Sequence, residues 1–188
     1  MNAYIDFKSP ASYLALAPTL SLIVEFSTAV HWHPFRSAER PMPTEVADET
    51  VGDRHRRVRA RSRRELHSHY AVAQGLKMHW PVEEGSSDLA LAALLMIEDD
   101  ALPFIKVAYA AYWDLNQNLD EPAVIEALLA QSGVSAPPIE ETSYRQALET
   151  AQQYAEDAGV VDAPAFVLAD QLFVGREHMP WIRELLAS

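Results

Sequence analysis

Tyr4-Ile5-Asp6-Phe7-Lys8-Ser9-Pro10-Ala11-Ser12 is the stretch from which the rest of the chain can be read. Tyr4 to Phe7 reads as the end of a short buried strand. Ser9 is a good helix N-cap, and Pro10 suits the first helical position, where a missing N–H costs nothing. Ala11-Ser12-Tyr13-Leu14-Ala15-Leu16-Ala17 carries the helix onward. A strand that feeds directly into a capped helix gathers backbone N–H groups and the positive end of a helix dipole at one spot. Such a spot binds anions or stabilises them as they form.

The chain's 188 residues include no cysteine. A disulfide framework, a zinc–thiolate site and a Cys-x-x-Cys redox pair are thereby excluded within them. The anion at the head of the first helix is therefore read as a thiolate brought in by a bound thiol cofactor. Hydrophobic residues make up 49% and charged residues 22%, the balance of a globular domain with a proper core. A net charge of −12 argues against general nucleic-acid binding and against adhesion to anionic membranes. The N-terminus shows no basic and apolar regions of a signal peptide, and apolar runs fall short of the about 20 residues a bilayer needs. A cytoplasmic protein is the expectation.

Outward from the first helix, Leu14, Leu16, Leu20, Leu22, Ile23 and Val24 predict a well-buried helix to about Phe26, interrupted by Pro18. Val30-His31-Trp32-His33 is β-prone and closed by Pro34, completing a βαβ unit. Glu39-Arg40-Pro41-Met42-Pro43 reads as a loop, and Thr44 to Gly52 as acidic and indistinct. Helices follow over Arg54–Gln74, from Ser87 through Ile97, Phe104–Leu115 and Pro122–Gln131. Pro137-Pro138 reads as a linker. Thr142–Ala158 is amphipathic and closed by Gly159. Ala165–Leu168 and Leu172–Gly175 form a hairpin about Ala169-Asp170-Gln171, and Met179–Ala187 is the last helix. The ends thus read βαβ and αββα around a helical block. That is the order of an α/β, thioredoxin-like fold with a large all-helical insertion: residues 1–38 and 140–188 as the thioredoxin-like domain, 39–139 as the insertion.

Several segments resemble one family. Asp6-Phe7-Lys8-Ser9-Pro10-Ala11-Ser12-Tyr13-Leu14-Ala15 resembles the "DF-x-SP-x-SYLA" opening of 2-hydroxychromene-2-carboxylate isomerases and kappa-class glutathione transferases, a branch of the DsbA-like thioredoxin superfamily. Phe104 to Trp113 is similar to their inserted-domain helix, and Asn118-Leu119-Asp120-Glu121-Pro122 to the start of the next. Gly159-Val160-Val161-Asp162-Ala163-Pro164-Ala165-Phe166 resembles "GV-x-G-V-P-T-F", and Leu172-Phe173-Val174-Gly175 resembles "LF-x-G".

The resemblance implies a glutathione-dependent isomerase acting by reversible thiolate addition to an unsaturated form of an aromatic-derived carboxylate. It implies that Ser9 hydrogen-bonds the sulfur of bound glutathione. An ordinary thiol, with a pKa of about 8.5, is mostly protonated near neutral pH. A hydroxyl donor at a helix N-terminus stabilises the thiolate without itself ionising. It further implies that Pro164 is cis, and that the backbone of Ala163 pairs with the peptide part of the cofactor. Arg176-Glu177-His178 stands where the family holds the γ-glutamyl end through an Asp-Arg pair, so Glu177 stands in for Asp and His178 falls at the Arg. Asp162 departs from the family's usual Gly. The family also implies a homodimer. From the residues alone, Ser9 is equally an ordinary N-cap, and 176–178 an ordinary polar helix start. A kappa-like transferase and a thioredoxin-fold binding protein that has lost glutathione remain alternatives.

Arg54, Arg56, Arg57, Arg59, Arg61, Arg63 and Arg64 hold seven of the chain's 15 basic residues on one expected helix. They read as a solvated face paired with the chain's many acids, or as a source of one carboxylate contact to a ligand. His31 and His33 share a strand face and His67 and His69 do not share a helix face, so no metal site is expected. Tyr112 and Trp113 are candidates for an aromatic pocket.

Overall fold

A computed structural model describes residues 1–38, 43, 48–81, 85–136 and 141–188, and the side chains of all of these except 141 and 142. Residues 39–42 of the expected loop 39–43, residues 44–47 of the acidic stretch 44–52 and the Pro137-Pro138 linker lie outside the described residues. So do the boundaries expected for the insertion. The chain divides into two compact units. One comprises Met1–Ser37 with His79–Ser188, the other Ala38–Met78. The insertion expected over 39–139 spans the second unit and three helices of the first.

In the first unit, β1 (Asn2–Ile5) leads through Asp6-Phe7-Lys8 to Ser9 and α1 (Pro10–Phe26). β2 (His31–Pro34) lies parallel to β1, which a crossover helix of this length permits. β3 (Ala165–Leu168) pairs antiparallel with the other side of β1, and β4 (Gln171–Val174) antiparallel with β3, giving the order β2-β1-β3-β4. This is the expected βαβ and ββ arrangement. The hairpin turn is Ala169-Asp170, both at positive φ (48° and 60°), a two-residue form that matches the twist of its strands. Pro34 belongs to β2 rather than ending it. It pairs with Ile5, and the following Phe35 N–H donates to the Ile5 carbonyl. An edge strand tolerates a proline there. α1 runs unbroken through Pro18, with Tyr13, Leu14, Ala15, Thr19 and Leu22 buried along its length.

Side chains alternate across the sheet. Ala3, Phe166 and Phe173 face Ala15 and Leu22 of α1, and Met179 and Ile182 of α7 (Met179–Leu186). Tyr4, Ala163 and Ala165 face Phe35, Val160 and Ala155, the last from α6 (Glu141–Asp157). The other helices of this unit are α3 (Asp88–Met96), α4 (Leu102–Trp113) and α5 (Pro122–Ser132). α3 is buried over Leu89–Leu94. Its buried faces explain why it reads as uniformly apolar, with no helical stripe.

Phe7, Tyr13, Phe104, Tyr109 and Trp113 form an aromatic cluster between the β1–α1 loop and α4. Tyr13 stacks on Trp113 at 5.9 Å, and Phe7 meets Phe104 and Tyr109 edge-on. Trp113 retains 1% exposure and its Nε1–H donates to the Phe7 carbonyl at 2.9 Å. These rings are core, as Tyr112 is.

In the second unit, α2 (Val51–Ala73) starts three residues before the expected Arg54. Thr50 and Asp53 form a reciprocal capping box, which fixes the true start. Arg57 grips Glu49 with two bonds at 2.8 and 3.0 Å, Arg56 pairs with Asp53, and Arg61 stands 3.9 Å from Glu65. The paired-face reading of this run fits those three arginines.

Trp113→Ala is expected to lower stability by about 3–5 kcal/mol in denaturant unfolding, through lost packing and an orphaned Phe7 carbonyl. A loss below about 1 kcal/mol contradicts the placement of this ring in the core.

Candidate functional site

The end of β1 and the start of α1 meet the loop before β3. Ser9 adopts extended backbone at the N-cap, and its Oγ accepts from the Ser12 N–H at 3.3 Å. The Ser9 carbonyl accepts from the Tyr13 N–H at 3.0 Å, and Pro10 has no N–H to satisfy. Among the described residues none accepts from the Ala11 N–H, so the mouth of α1 keeps one open first-turn donor. The Ser9 hydroxyl donates to the Ala163 carbonyl at 2.9 Å, across 154 residues of sequence. The Ala163–Pro164 bond is cis. Ser9, with 8% exposure, and the residue before the cis-proline are thus in direct contact.

Asp162 joins them. Its Oδ1 accepts from the Ala163 N–H at 3.0 Å. Both polar groups of the Ala163 backbone are therefore held by neighbours: the carbonyl by Ser9, the N–H by Asp162. Pro164 is linked onward, because its carbonyl accepts from the Gly175 N–H at 2.8 Å. Gly175 has φ 99°, a conformation that favours glycine, and the Glu177 carboxylate lies over it. Arg176, Glu177 and His178 follow as a single 3-10 turn before α7. His178 stands beside Phe173 at 6.0 Å, exposed, as is Glu177. The residues from Ser9 to His178 therefore form one backbone-connected chain of contacts: Ser9 to Ala163, Pro164 to Gly175, and Gly175 under Glu177.

The Ser9 N–H donates to the carbonyl of a residue that sequence pattern alone does not mark as a site, Asp6, at 3.2 Å. Asp6 is fully buried, and its carboxylate accepts from the Ser87 hydroxyl at 2.7 Å, the Ser37 N–H at 2.9 Å and the Lys8 N–H at 3.1 Å. Burial raises its pKa above the ordinary aspartate value, while the bonds from Ser87, Ser37 and Lys8 act the other way. Tyr109 is buried too, with its hydroxyl 3.5 Å from the Asp6 carbonyl. Burial first, then the Asp6 charge, hold its phenol well above the usual range, against the bond to Ser12, so it stays neutral. The signal in the sequence was an acidic residue inside an otherwise apolar strand end. His33 stacks on Tyr4 at 4.9 Å, and its pKa is lowered by burial and by His31. Among the described residues no group of three or more His, Cys, Asp or Glu could hold a metal ion.

The donor set at α1 suits a sulfur anion: one hydroxyl, one open N–H and the helix dipole. Ser9→Ala is expected to cost about 1–3 kcal/mol of stability by removing the cap and orphaning the buried Ala163 carbonyl, with the fold kept. Asp6 yields a pH test. Its folded-state pKa is raised, so the stability it contributes is full below the unfolded aspartate value and is lost as pH rises through the folded one. The stability difference between the unaltered chain and Asp6→Asn should therefore fall with rising pH in that window. A difference that is flat or rises contradicts a carboxylate whose burial outweighs its three bonds.

The DSBA-like thioredoxin domain family matches residues 1–187. A solved 2-hydroxychromene-2-carboxylate isomerase is similar over 99% of this chain and 93% of its own, with TM-score 0.74 and 16% identity. A probable DsbA oxidoreductase from Streptomyces coelicolor is similar over 99% and 87%, with TM-score 0.66 and 15% identity. A putative protein disulfide isomerase from Nitrosomonas europaea gives 99% and 96%, TM-score 0.64 and 11% identity. None of the curated proteins compared with the chain matches it. No helix among the described residues is long and apolar enough to cross a membrane. At these identities the solved structures establish the fold alone, a mixed four-stranded sheet with helices, and the family match over nearly the whole length makes this chain a member of the DsbA-like thioredoxin family.

Proposed function

We propose that this chain is a glutathione-dependent isomerase of the kind represented by the 2-hydroxychromene-2-carboxylate isomerases. The observation that carries the reading is the contact between the Ser9 hydroxyl at the mouth of α1 and the Ala163 carbonyl before cis-Pro164. Members of this fold named as oxidoreductases are among its neighbours. This chain has no cysteine with which to exchange disulfides. A Ser9–Ala163 contact with no sulfur of the chain's own suits a sulfur supplied from outside.

Bound glutathione supplies a thiolate nucleophile that adds reversibly to an electron-poor double bond. The rest is the work of this chain. Ser9 turns its O–H from the Ala163 carbonyl to the sulfur and, with the Ala11 N–H and the α1 dipole, favours the ionised form. The freed Ala163 carbonyl and its N–H offer a short strand edge to a peptide-like cofactor. For the N–H to be offered, Asp162 must swing away, and its carboxylate then suits an ammonium group better than a second anion. Glu177 lies one turn from that edge, where the γ-glutamyl end would be held, with Arg176 and His178 beside it. A carboxylate substrate, a homodimer and residence in the reducing cytoplasm, where free thiols persist, complete the reading.

A second reading has its own support. Asp162 already occupies the Ala163 N–H, as it would in a thioredoxin-fold binding protein that has given up glutathione. Calorimetric titration with glutathione separates the two. The unaltered chain should bind, and Ser9→Ala should keep much of the affinity while losing the ultraviolet absorbance of bound thiolate near neutral pH. No heat at millimolar glutathione contradicts the enzyme reading. Product analysis then separates isomerase from kappa-like transferase: the first returns free glutathione, the second a conjugate.

A further inference from the structure

Asp6 lies three residues before Ser9, yet its three partners come from three separate segments. Lys8 is on the β1–α1 loop that carries Ser9. Ser37 is the last residue of the first unit before the second begins. Ser87 precedes α3, makes no side-chain cap to its own helix and donates its hydroxyl to Asp6. The α3 amide of Leu89 is met instead by Asp120 Oδ1 at 3.3 Å. Burying a carboxylate is unfavourable, and an apolar residue of similar size is often as stable. A side chain retained at that cost, with every oxygen engaged, has a placement to maintain.

We propose that Asp6 is the positioning residue of the sulfur seat: its carboxylate fixes the Lys8-Ser9 loop against the end of β2 and the start of α3, and so holds Ser9 Oγ at the Ala163 carbonyl. The proposal deepens the reading of Ser9 as a sulfur seat and rests on it for its functional meaning. An amide cannot take the same place. Turned one way, its NH2 faces the Ser37 N–H; turned the other, it faces the Lys8 N–H. Either way one buried backbone donor loses its acceptor.

The first arm of the test needs no cofactor. It is a double-mutant cycle on the folding equilibrium, Asp6→Asn against Ser9→Ala, in the full chain. If Asp6 holds Ser9 in place, Ser9→Ala lowers the folding constant about fivefold less in the Asp6→Asn background than in the unaltered chain. Effects that multiply independently to within about twofold overturn the proposal. Should Asp6→Asn fail to fold, Ser87→Ala takes its place in the cycle. The second arm titrates the thiol of bound glutathione by ultraviolet absorbance. Both Asp6→Asn and Ser87→Ala should move its midpoint up, toward that of the free thiol, because Ser9 is no longer held. A downward move in Asp6→Asn with none in Ser87→Ala marks a simple charge effect and overturns the proposal. If the unaltered chain binds no glutathione, the functional reading fails while the cycle still decides what Asp6 does to Ser9.

Discussion

One hydrogen bond ties the two ends of this chain together at the point where chemistry is possible. The Ser9 hydroxyl and the Ala163 carbonyl are joined only because β1 lies between β2 and β3. The central position of β1 brings the loop before β3 beside the loop after β1. The N-cap then turns the Ser9 side chain toward α1, where its oxygen accepts from one backbone donor and donates to another backbone's acceptor. A hydroxyl in that position is balanced between structure and function. It stabilises the resting site, and the same proton is available to an anion.

Beneath this contact the β1–α1 loop is held from several sides. Trp113 takes the Phe7 carbonyl, Ser9's own N–H goes to the Asp6 carbonyl, and the Asp6 carboxylate takes the Lys8 N–H. Loops that carry function are commonly mobile, and a precise hydrogen-bond geometry needs the opposite. The aromatic cluster on α4 and the buried carboxylate supply that rigidity in different ways. The rings do so by close packing, and Asp6 by the cost of leaving its charge unmatched.

Much of this was legible in the residues. The Ser9-Pro10 start of α1, the hairpin signalled by two short apolar runs and the family's order of elements led to the fold. The Thr50–Asp53 capping box that starts α2 adjoins an acidic, indistinct stretch, which hides the helix start in the sequence. Pro34 reads as a strand terminator by its missing N–H, which an edge strand leaves harmless. Asp6 reads as part of a strand end, and the partners that let its carboxylate be buried, Ser37 and Ser87, are remote in sequence. The Asp162 contact with the Ala163 N–H needed backbone geometry to be seen. The departure from glycine at that position was visible from the start.

On the proposed reading, the seat at Ser9 takes a sulfur that this chain does not itself contribute. The most direct measurement is the position of glutathione sulfur in a crystal of the complex. The account predicts that sulfur within hydrogen-bonding distance of Ser9 Oγ at the mouth of α1, with the hydroxyl turned away from the Ala163 carbonyl. A thiol bound elsewhere, with the Ser9–Ala163 bond intact, would contradict it.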